Sequence, residues 1–568
     1  LLVLAKALVL AGRDIPLSPW TPLAFLWQDL LCVLVFAGLD ALLRRRKIGW
    51  ILYGIAAIYI AVNVPIACTL STPLTWPLLR AARGTLADSI AYHVTVANVL
   101  RFVAMVFAAI GLPLAVRNIR QHWRIAVIAA CAALAPLGPL ATRHVETLGL
   151  HRNVFAALLA TALPRIAALD SDGDWRASPF GSPSLDDLSR FRGRAAGRNV
   201  VVIHLESAGA QYLRPYGAAE DPMPNLTALC DRAILFENAY TTYPETIKSF
   251  FAAHCATFPA LDSEPQAYAR VRVPALAQVL QTAGYRSGLF HSGRFGYLGM
   301  EAVIQDRGFD TLEDAGDIGG ERDSSFGIDE ESTVRRILAW IDALPNGQRF
   351  FVTYLPIAGH HPYATPDDGP FPMSEEIDRY RNALHYADTA VGQLVSGLRQ
   401  RGLFDDTLFV IFGDHGEAFG QHEGNFGHVL FLHEENVRVP YVIVAPGVIS
   451  EPVRVRRVSS LVDTAPTILD LLGLSAPTKW QGRSLLGAHT RLALFCTDYS
   501  LAFLGLRDQR WKLIYELDSE RAKLFDLEND PDERNDVADH NLELVEAYRE
   551  HLRAWGAAQK HLIGNSAR

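Results

Sequence analysis

Four apolar stretches of about twenty residues crowd the first quarter of this chain, at 22–43, 49–70, 95–116 and 123–141. Each is as long as a helix must be to cross the hydrocarbon of a bilayer. A fifth stretch, 1–12, is shorter and reads as the remnant of a truncated helix. The chain opens on Leu-Leu without Met, so its natural start is expected upstream. Arg44, Arg45, Arg46 and Lys47 separate the runs at 22–43 and 49–70, and Arg117, Arg120 and Arg124 separate those at 95–116 and 123–141. Basic loops stay in the cytoplasm. Five crossings from a cytoplasmic N-terminus then put everything after Ala141 outside it. Buried helices of a large soluble protein need neither the regular length nor the alternating basic loops. Hydrophobic residues make up 50% of the chain, and the excess lies before residue 170. The protein therefore divides into a membrane region and a soluble region.

Residues 72–93 are more polar and read as an outer linker. Residues 152–169 are apolar but interrupted by Pro164 and Arg165, which predicts an interfacial helix on the outer leaflet. Residues 171–198, rich in Gly, Ser, Pro, Asp and Arg, read as a second linker. A net charge of -8 gives no footprint for nucleic acid. Cys32, Cys68 and Cys131 sit in apolar stretches as core residues. Cys230, Cys255 and Cys496 form no Cys-x-x-Cys pair, and spacing leaves a Cys230–Cys255 disulfide open.

In the soluble region, strand-like runs at 199–205, 285–290, 350–355, 407–412 and 440–445 alternate with helical patterns at 273–282, 332–343, 375–401 and 461–472. That alternation predicts an α/β domain with a mainly parallel sheet. Short runs at 492–496, 503–507, 511–515 and 523–526 predict a small antiparallel subdomain. The expected division is transmembrane helices over 1–145 and an interfacial helix and linker over 146–198. A catalytic core over 199–488 and the C-terminal subdomain and tail over 489–568 follow.

The stretch 410–428, VIFGDHGEAFGQHEGNFGH, carries the chemistry. A buried strand ends at Gly413 and opens into Asp414, His415 and Glu417, then His422, Glu423 and His428. Strand ends in a parallel sheet converge on one crevice. Asp414 and His415 offer one cation a carboxylate oxygen and an imidazole nitrogen, a mixture that suits zinc or manganese better than calcium. Glu206 ends the strand at 199–205, where an unpaired carboxylate would be costly. Thr246, after Pro244 and Glu245, falls at a helix N-terminus, where free N–H groups favour an anion. Beside a metal its hydroxyl can be deprotonated to attack phosphorus or sulfur. Lys248 is placed to hold the transferred oxygens. His360 follows the strand at 350–355 as a substrate or leaving-group residue, with His361 as a packing neighbour. His428 is expected as a second-metal or substrate ligand. His422 and His433 are weaker candidates, His204 is structural, and His254 is assigned no role.

The ordered set Glu206, Thr246, His360, Asp414-His415 and His428 resembles the sulfatase branch of the alkaline phosphatase superfamily, over roughly 198–535. With a multi-helix anchor the chain is similar to lipoteichoic acid synthases and to phosphoglycerol and phosphoethanolamine transferases. The resemblance implies a divalent metal held by Glu206, Thr246, Asp414 and His415, with Thr246 as nucleophile and His360 as the substrate histidine. It implies a phospholipid donor, a glycan or lipid acceptor and a phosphothreonine intermediate, on the outer face of the plasma (inner) membrane. True sulfatases carry a Cys or Ser that becomes formylglycine, whereas here Thr246-Ile247-Lys248-Ser249 cannot. They also carry an Asp-Asp pair where this chain has Glu206-Ser207. Both departures favour phosphoryl chemistry. The tail 523–533, KLFDLENDPDE, resembles soluble sulfatases instead, and keeps a sulfuric or phosphoric ester hydrolase as the alternative.

Overall fold

The structure, a computed structural model, describes all residues except 16, 44–45, 83–86, 172, 181–186, 323, 325, 489–490 and 566–568. The N-terminal region is helical. Among the described residues, four helices are long and apolar enough to cross a membrane, over Thr21–Leu42, Lys47–Leu70, Val96–Val116 and Gln121–His144. They coincide with the four long apolar runs. The first run forms the nine-residue helix Leu2–Leu10, packed beside Arg46–Leu70. Of the basic loop at 44–47, Arg44 and Arg45 lie outside the described residues, and Arg46 and Lys47 open the next helix.

The soluble region is built on a nine-stranded sheet. Its strands are β1 Asn199–Leu205, β2 Ala233–Tyr240, β3 Arg286–His291, β4 Thr311–Glu313, β5 Phe350–Leu355 and β6 Thr407–Gly413, joined by β9 Arg438–Val439, β10 Tyr441–Val444 and β11 Val453–Ser460. The order is β11-β2-β10-β6-β1-β5-β3-β4, with β9 on β2. Strands β1, β5 and β6 pair in parallel and every residue in them is buried. Covered on both faces, such strands read as unbroken apolar runs. Strand β10 runs antiparallel to β6 and β2, which keeps the sheet mainly rather than wholly parallel. The small pair β7 Ala418–Phe419 and β8 Phe426–Gly427 lies in the loop after β6. A separate antiparallel sheet follows, β12 Ala493–Thr497, β13 Phe503–Asp508, β14 Trp511–Glu516 and β15 Ala522–Asp526. The C-terminal helix Leu542–Asn565, which the sequence pattern did not signal, packs on it through the buried Trp555.

One expectation is corrected. Residues 152–169 do not form one interfacial helix. Only Val154–Ala160 is α-helical, and the two arginines anchor the segment to the soluble region. Arg152 is buried and donates to the Ser500 carbonyl and the Thr72 hydroxyl, each at 3.0 Å. Arg165 pairs with Asp262 at 3.2 Å and Asp498 at 3.6 Å. A guanidinium with carboxylate partners gains more there than it would beneath lipid head groups. The Cys230–Cys255 pairing that spacing leaves open is not formed, and both are free thiols. The outer linker at 72–93 contains two short helices, Trp76–Ala81 and Ala87–Tyr92, with 83–86 outside the described residues.

Candidate active site

Register decides what meets at the sheet edge. Leu205 of β1 lies opposite Gly413 of β6. The next residues, Glu206 and Asp414, therefore leave adjacent strands side by side. A Cβ on Gly413 would stand 2.2 Å from the Ala208 carbonyl oxygen, so no other residue permits this closure. Gly359 does the same after β5, where a Cβ would meet the Glu206 carbonyl oxygen at 2.0 Å. That contact presses the loop bearing His360 against the Glu206 backbone.

Asp414 is fully buried. Its Oδ1 accepts from the backbone N–H groups of Ser207 at 3.0 Å and His415 at 2.8 Å. Its Oδ2 is buried without a hydrogen-bond partner. The His415 Nδ1 lies 3.0 Å from the Gly416 carbonyl, which can only accept, so Nδ1 carries the proton. Nε2 then presents a lone pair, 3.5 Å from Glu206 Oε1 and 3.6 Å from Asp414 Oδ2. A backbone acceptor on one ring nitrogen is the usual way to orient the other toward a cation. Thr246 opens the helix Thr246–Cys255. Its hydroxyl donates to Glu206 Oε2 at 3.0 Å and stands 3.5 Å from His415 Nε2. Ligand atoms of Glu206, Asp414 and His415 all lie within 4.8 Å of one another. Two carboxylates, a free imidazole nitrogen and an orphaned buried oxygen fit a divalent cation.

The electrostatics agree. Burial pushes the Asp414 carboxyl up to about 7, against its backbone hydrogen bonds. Burial, with Asp414 alongside, also raises Glu206. Burial lowers His415 to about 4, aided by His428. These groups are costly to hold charged together without a positive partner.

A second group overlaps the first through His415. The His428 ring stacks on that of His415 with centroids 4.1 Å apart. Its Nδ1 is 2.9 Å from Glu417 Oε2, and the Tyr363 hydroxyl donates to Glu417 Oε1 at 3.0 Å. His415, Glu417 and His428 form a three-residue set that a second ion would fit. Burial pushes Glu417 up to about 7. Sequence reasoning picks out Glu417 without giving it a role. The signal was its place in Gly-Asp-His-Gly-Glu, since a carboxylate so close to a buried strand needs partners.

His360 lies on the rim, its centroid 6.2 Å from His428 and 4.1 Å from Phe326. Its Nδ1 sits 2.7 Å from the His361 carbonyl, leaving Nε2 free. His361 stacks on His93 of the outer linker, centroids 5.2 Å apart. Lys248 points elsewhere. Its ammonium lies 3.4 Å from Glu245, 3.8 Å from Asp498 and 3.7 Å over the Tyr243 ring. Burial opposes its charge, yet Glu245 and Asp498 hold its pKa above the usual lysine value. Asp498 also accepts from the Tyr243 hydroxyl, 255 positions away. Nothing local in the sequence signals that partnership. His204 and His254 face each other at 2.9 Å inside the core, away from this cluster.

Comparison with known proteins bears on the fold. Residues 198–474 match the sulfatase family model. Lipoteichoic acid synthase 2 of Bacillus subtilis is 26% identical over 304 residues, covering 50% of this chain and 46% of that protein. Arylsulfatase K of Bos taurus is 30% identical over 224 residues, 35% of this chain and 40% of that protein. The chain spans about half the length of the first curated relatives it matches. Two solved structures share the fold at 19% identity. The lipoteichoic acid synthase LtaP of Listeria monocytogenes has a TM-score of 0.52 over 66% of this chain and 94% of that one. An alkaline phosphatase superfamily protein of Vibrio parahaemolyticus has a TM-score of 0.55 over 72% and 96%. Behind its apolar helices, the chain matches the sulfatase family model over residues 198–474, and its soluble region shares the fold of these two solved structures.

Proposed function

We propose that this protein is a membrane-anchored phosphotransferase. It moves a phosphoglycerol- or phosphoethanolamine-type group from a phospholipid to a glycan or lipid hydroxyl. The observation that carries the reading is the Thr246 hydroxyl, at a helix N-terminus, donating to Glu206 beside the Asp414–His415 pair. Zinc or manganese held by Glu206, Asp414, His415 and Thr246, with His428 at a second position, would supply Lewis acidity and lower the threonine hydroxyl pKa.

The residues themselves do the rest. The Thr246 Oγ attacks phosphorus, and its proton leaves along the existing hydrogen bond to Glu206. The bond to the diacylglycerol oxygen breaks, and a phosphothreonine forms. The N–H groups at the start of the helix face the transferred oxygens. His360, with Nδ1 on the His361 carbonyl, acts as the imidazolium: its Nε2 proton goes to the leaving oxygen, and the proton taken up by Glu206 replaces it. An acceptor hydroxyl then attacks the same phosphorus and returns the proton and oxygen to Thr246. Threonine cannot yield formylglycine, so hydrolysis of sulfate esters lacks its usual nucleophile.

The test uses full-length protein in detergent with zinc and with manganese. Diacylglycerol release from a glycerophospholipid should exceed hydrolysis of an aryl sulfate, and mass spectrometry should find the adduct on the Thr246 peptide. Efficient aryl sulfate turnover with no phospholipid turnover would replace this reading by the ester hydrolase. The proposed setting is the outer face of the plasma membrane. Protease added to sealed spheroplasts should cleave within 171–198, and cleavage only after lysis would reverse the orientation.

A further inference from the structure

A cavity of about 390 Å³ opens beside the nucleophile helix, on the side where Lys248 rather than Glu206 lies. One wall holds Glu245 and Lys248, which bracket Thr246 in the chain. The lining also includes the two segments next to the membrane helices, Trp76 to Arg80 and Thr161 to Arg165. The space thus connects the membrane side of the molecule with the first turn of the helix that carries the nucleophile.

Its charges are already closed. Arg80 holds Glu264 at 2.5 Å. Arg165 holds Asp262 at 3.2 Å and Asp498 at 3.6 Å. Lys248 holds Glu245 at 3.4 Å and Asp498 at 3.8 Å. The lining therefore carries three cations against four acids, with each cation engaged. To gain Arg165 or Lys248 a phosphate would have to break a buried ion pair, which costs more than a surface pair returns. Arg80 offers only an exposed pair with Glu264, in a lining whose acids outnumber its cations. An uncharged hydroxylated group faces no such cost. It finds carboxylate edges that accept from hydroxyls and the amide of Gln266. Trp76, 36% exposed, and Leu163, 65% exposed, give the rim an apolar face of the kind that covers a sugar ring or a lipid stem.

We propose that this cavity binds the molecule that accepts the transferred group, and that it selects an uncharged, hydroxyl-rich end group. The proposal rests on the transferase reading above. In the step it serves, the acceptor hydroxyl oxygen bonds to phosphorus, the bond from phosphorus to Thr246 Oγ breaks, and the hydroxyl proton ends on Thr246.

The experiment uses full-length protein in a detergent without a sugar head, with phosphatidylglycerol as donor. Methyl β-D-glucoside and glucose 6-phosphate compete with water as acceptors. The glucoside should be used more efficiently than the anionic sugar by about tenfold or more. Trp76→Ala should lower the partition of product toward the glucoside, relative to water, by about tenfold. Equal use of both sugars, or an unchanged partition in Trp76→Ala, overturns the proposal. Saturation-transfer NMR of the glucoside on the same protein separates the two readings. Binding that Trp76→Ala removes, without any phospholipid turnover, leaves the cavity standing and sinks the transferase. Turnover with glucoside contacts indifferent to Trp76 does the reverse.

Discussion

Two separate histidine–carboxylate centres lie among the described residues, and one of them lacks a cation of its own. In the first, Glu206, Asp414 and His415 converge with Asp414 Oδ2 left without a hydrogen bond. In the second, His422, His433 and Glu533 are equally close together. There, however, His433 Nδ1 lies 3.0 Å from Glu533 Oε2, and His422 Nδ1 lies 2.7 Å from Glu435 Oε1. The fully buried Lys512 reaches Glu533 Oε1 at 2.8 Å and Glu434 at 2.9 Å. Burial works against the Glu533 charge, but Lys512 and His433 hold its pKa well below the usual value. Burial instead drives Asp414 upward. The comparison teaches that ligand types in proximity do not define a metal site. What defines it is an acid whose charge the protein leaves uncompensated.

The largest effect that tests this contrast is chemical. Thr246→Ala should lower turnover by about 10⁴-fold or more, the scale on which an attacking group is lost, with circular dichroism unchanged. Any substitution in the Lys512 centre that kept the fold should leave the rate per folded molecule near wild type. An active Thr246→Ala enzyme would remove the covalent route.

Next comes stability. Glu533→Gln leaves Lys512 buried with Glu434 alone, and breaking such a pair costs about 3 kcal/mol or more. At this chain size that is a fall of several degrees in Tm, with metal content unaltered. A Tm within a degree of wild type would show that the second centre is not closed by charge.

Metal content should separate the centres a third way. Asp414→Asn and His415→Ala should each weaken binding of zinc or manganese by more than ~100-fold, measured by elemental analysis after dialysis. His433→Gln should not. Full occupancy in both first-centre variants would move the metal elsewhere.

The smallest effect is a pH dependence. A carboxyl whose folded pKa is raised stabilises the fold below its unfolded pKa and loses that contribution as pH rises through the folded value. For Asp414 the window runs from about 4 to about 7. Chelated protein should therefore lose a few degrees of Tm as pH climbs through that window, and added metal should restore them. Glu533, with its pKa depressed, should do the opposite, losing its contribution only as pH falls below the usual carboxylate range. Asp414→Asn should flatten the first trend. A chelated wild type with a flat profile would mean that Asp414 is compensated after all.

Much of this architecture was legible in residue order. The four spans, the central strands and the C-terminal sheet declare themselves because burial on both sides makes strands β1, β5 and β6 continuously apolar. Strand β11, Val-Arg-Val-Arg-Arg-Val-Ser-Ser, escaped because Arg454 and Arg456 face outward from a sheet edge and the buried Arg457, which donates to the Leu485 and Gly487 carbonyls, breaks the apolar run. Strand β2 escaped because Glu237 and Asn238, half-buried within it, interrupt its apolar run. Of the candidate site, Glu206, Thr246, Asp414 and His415 were readable, since each abuts a strand or helix end whose position local pattern reveals. Tertiary structure alone decided that Leu205 pairs with Gly413, which sets the two carboxylates side by side. It alone gave Lys248 to Asp498, gave Glu417 to Tyr363 and His428, and turned 152–169 from a lipid-facing helix into a strap on the soluble region. Those outcomes depend on which side chains the fold brings together. Local sequence fixes a residue's type and its element, but the compensation of a buried charge is settled only by what the fold brings opposite it.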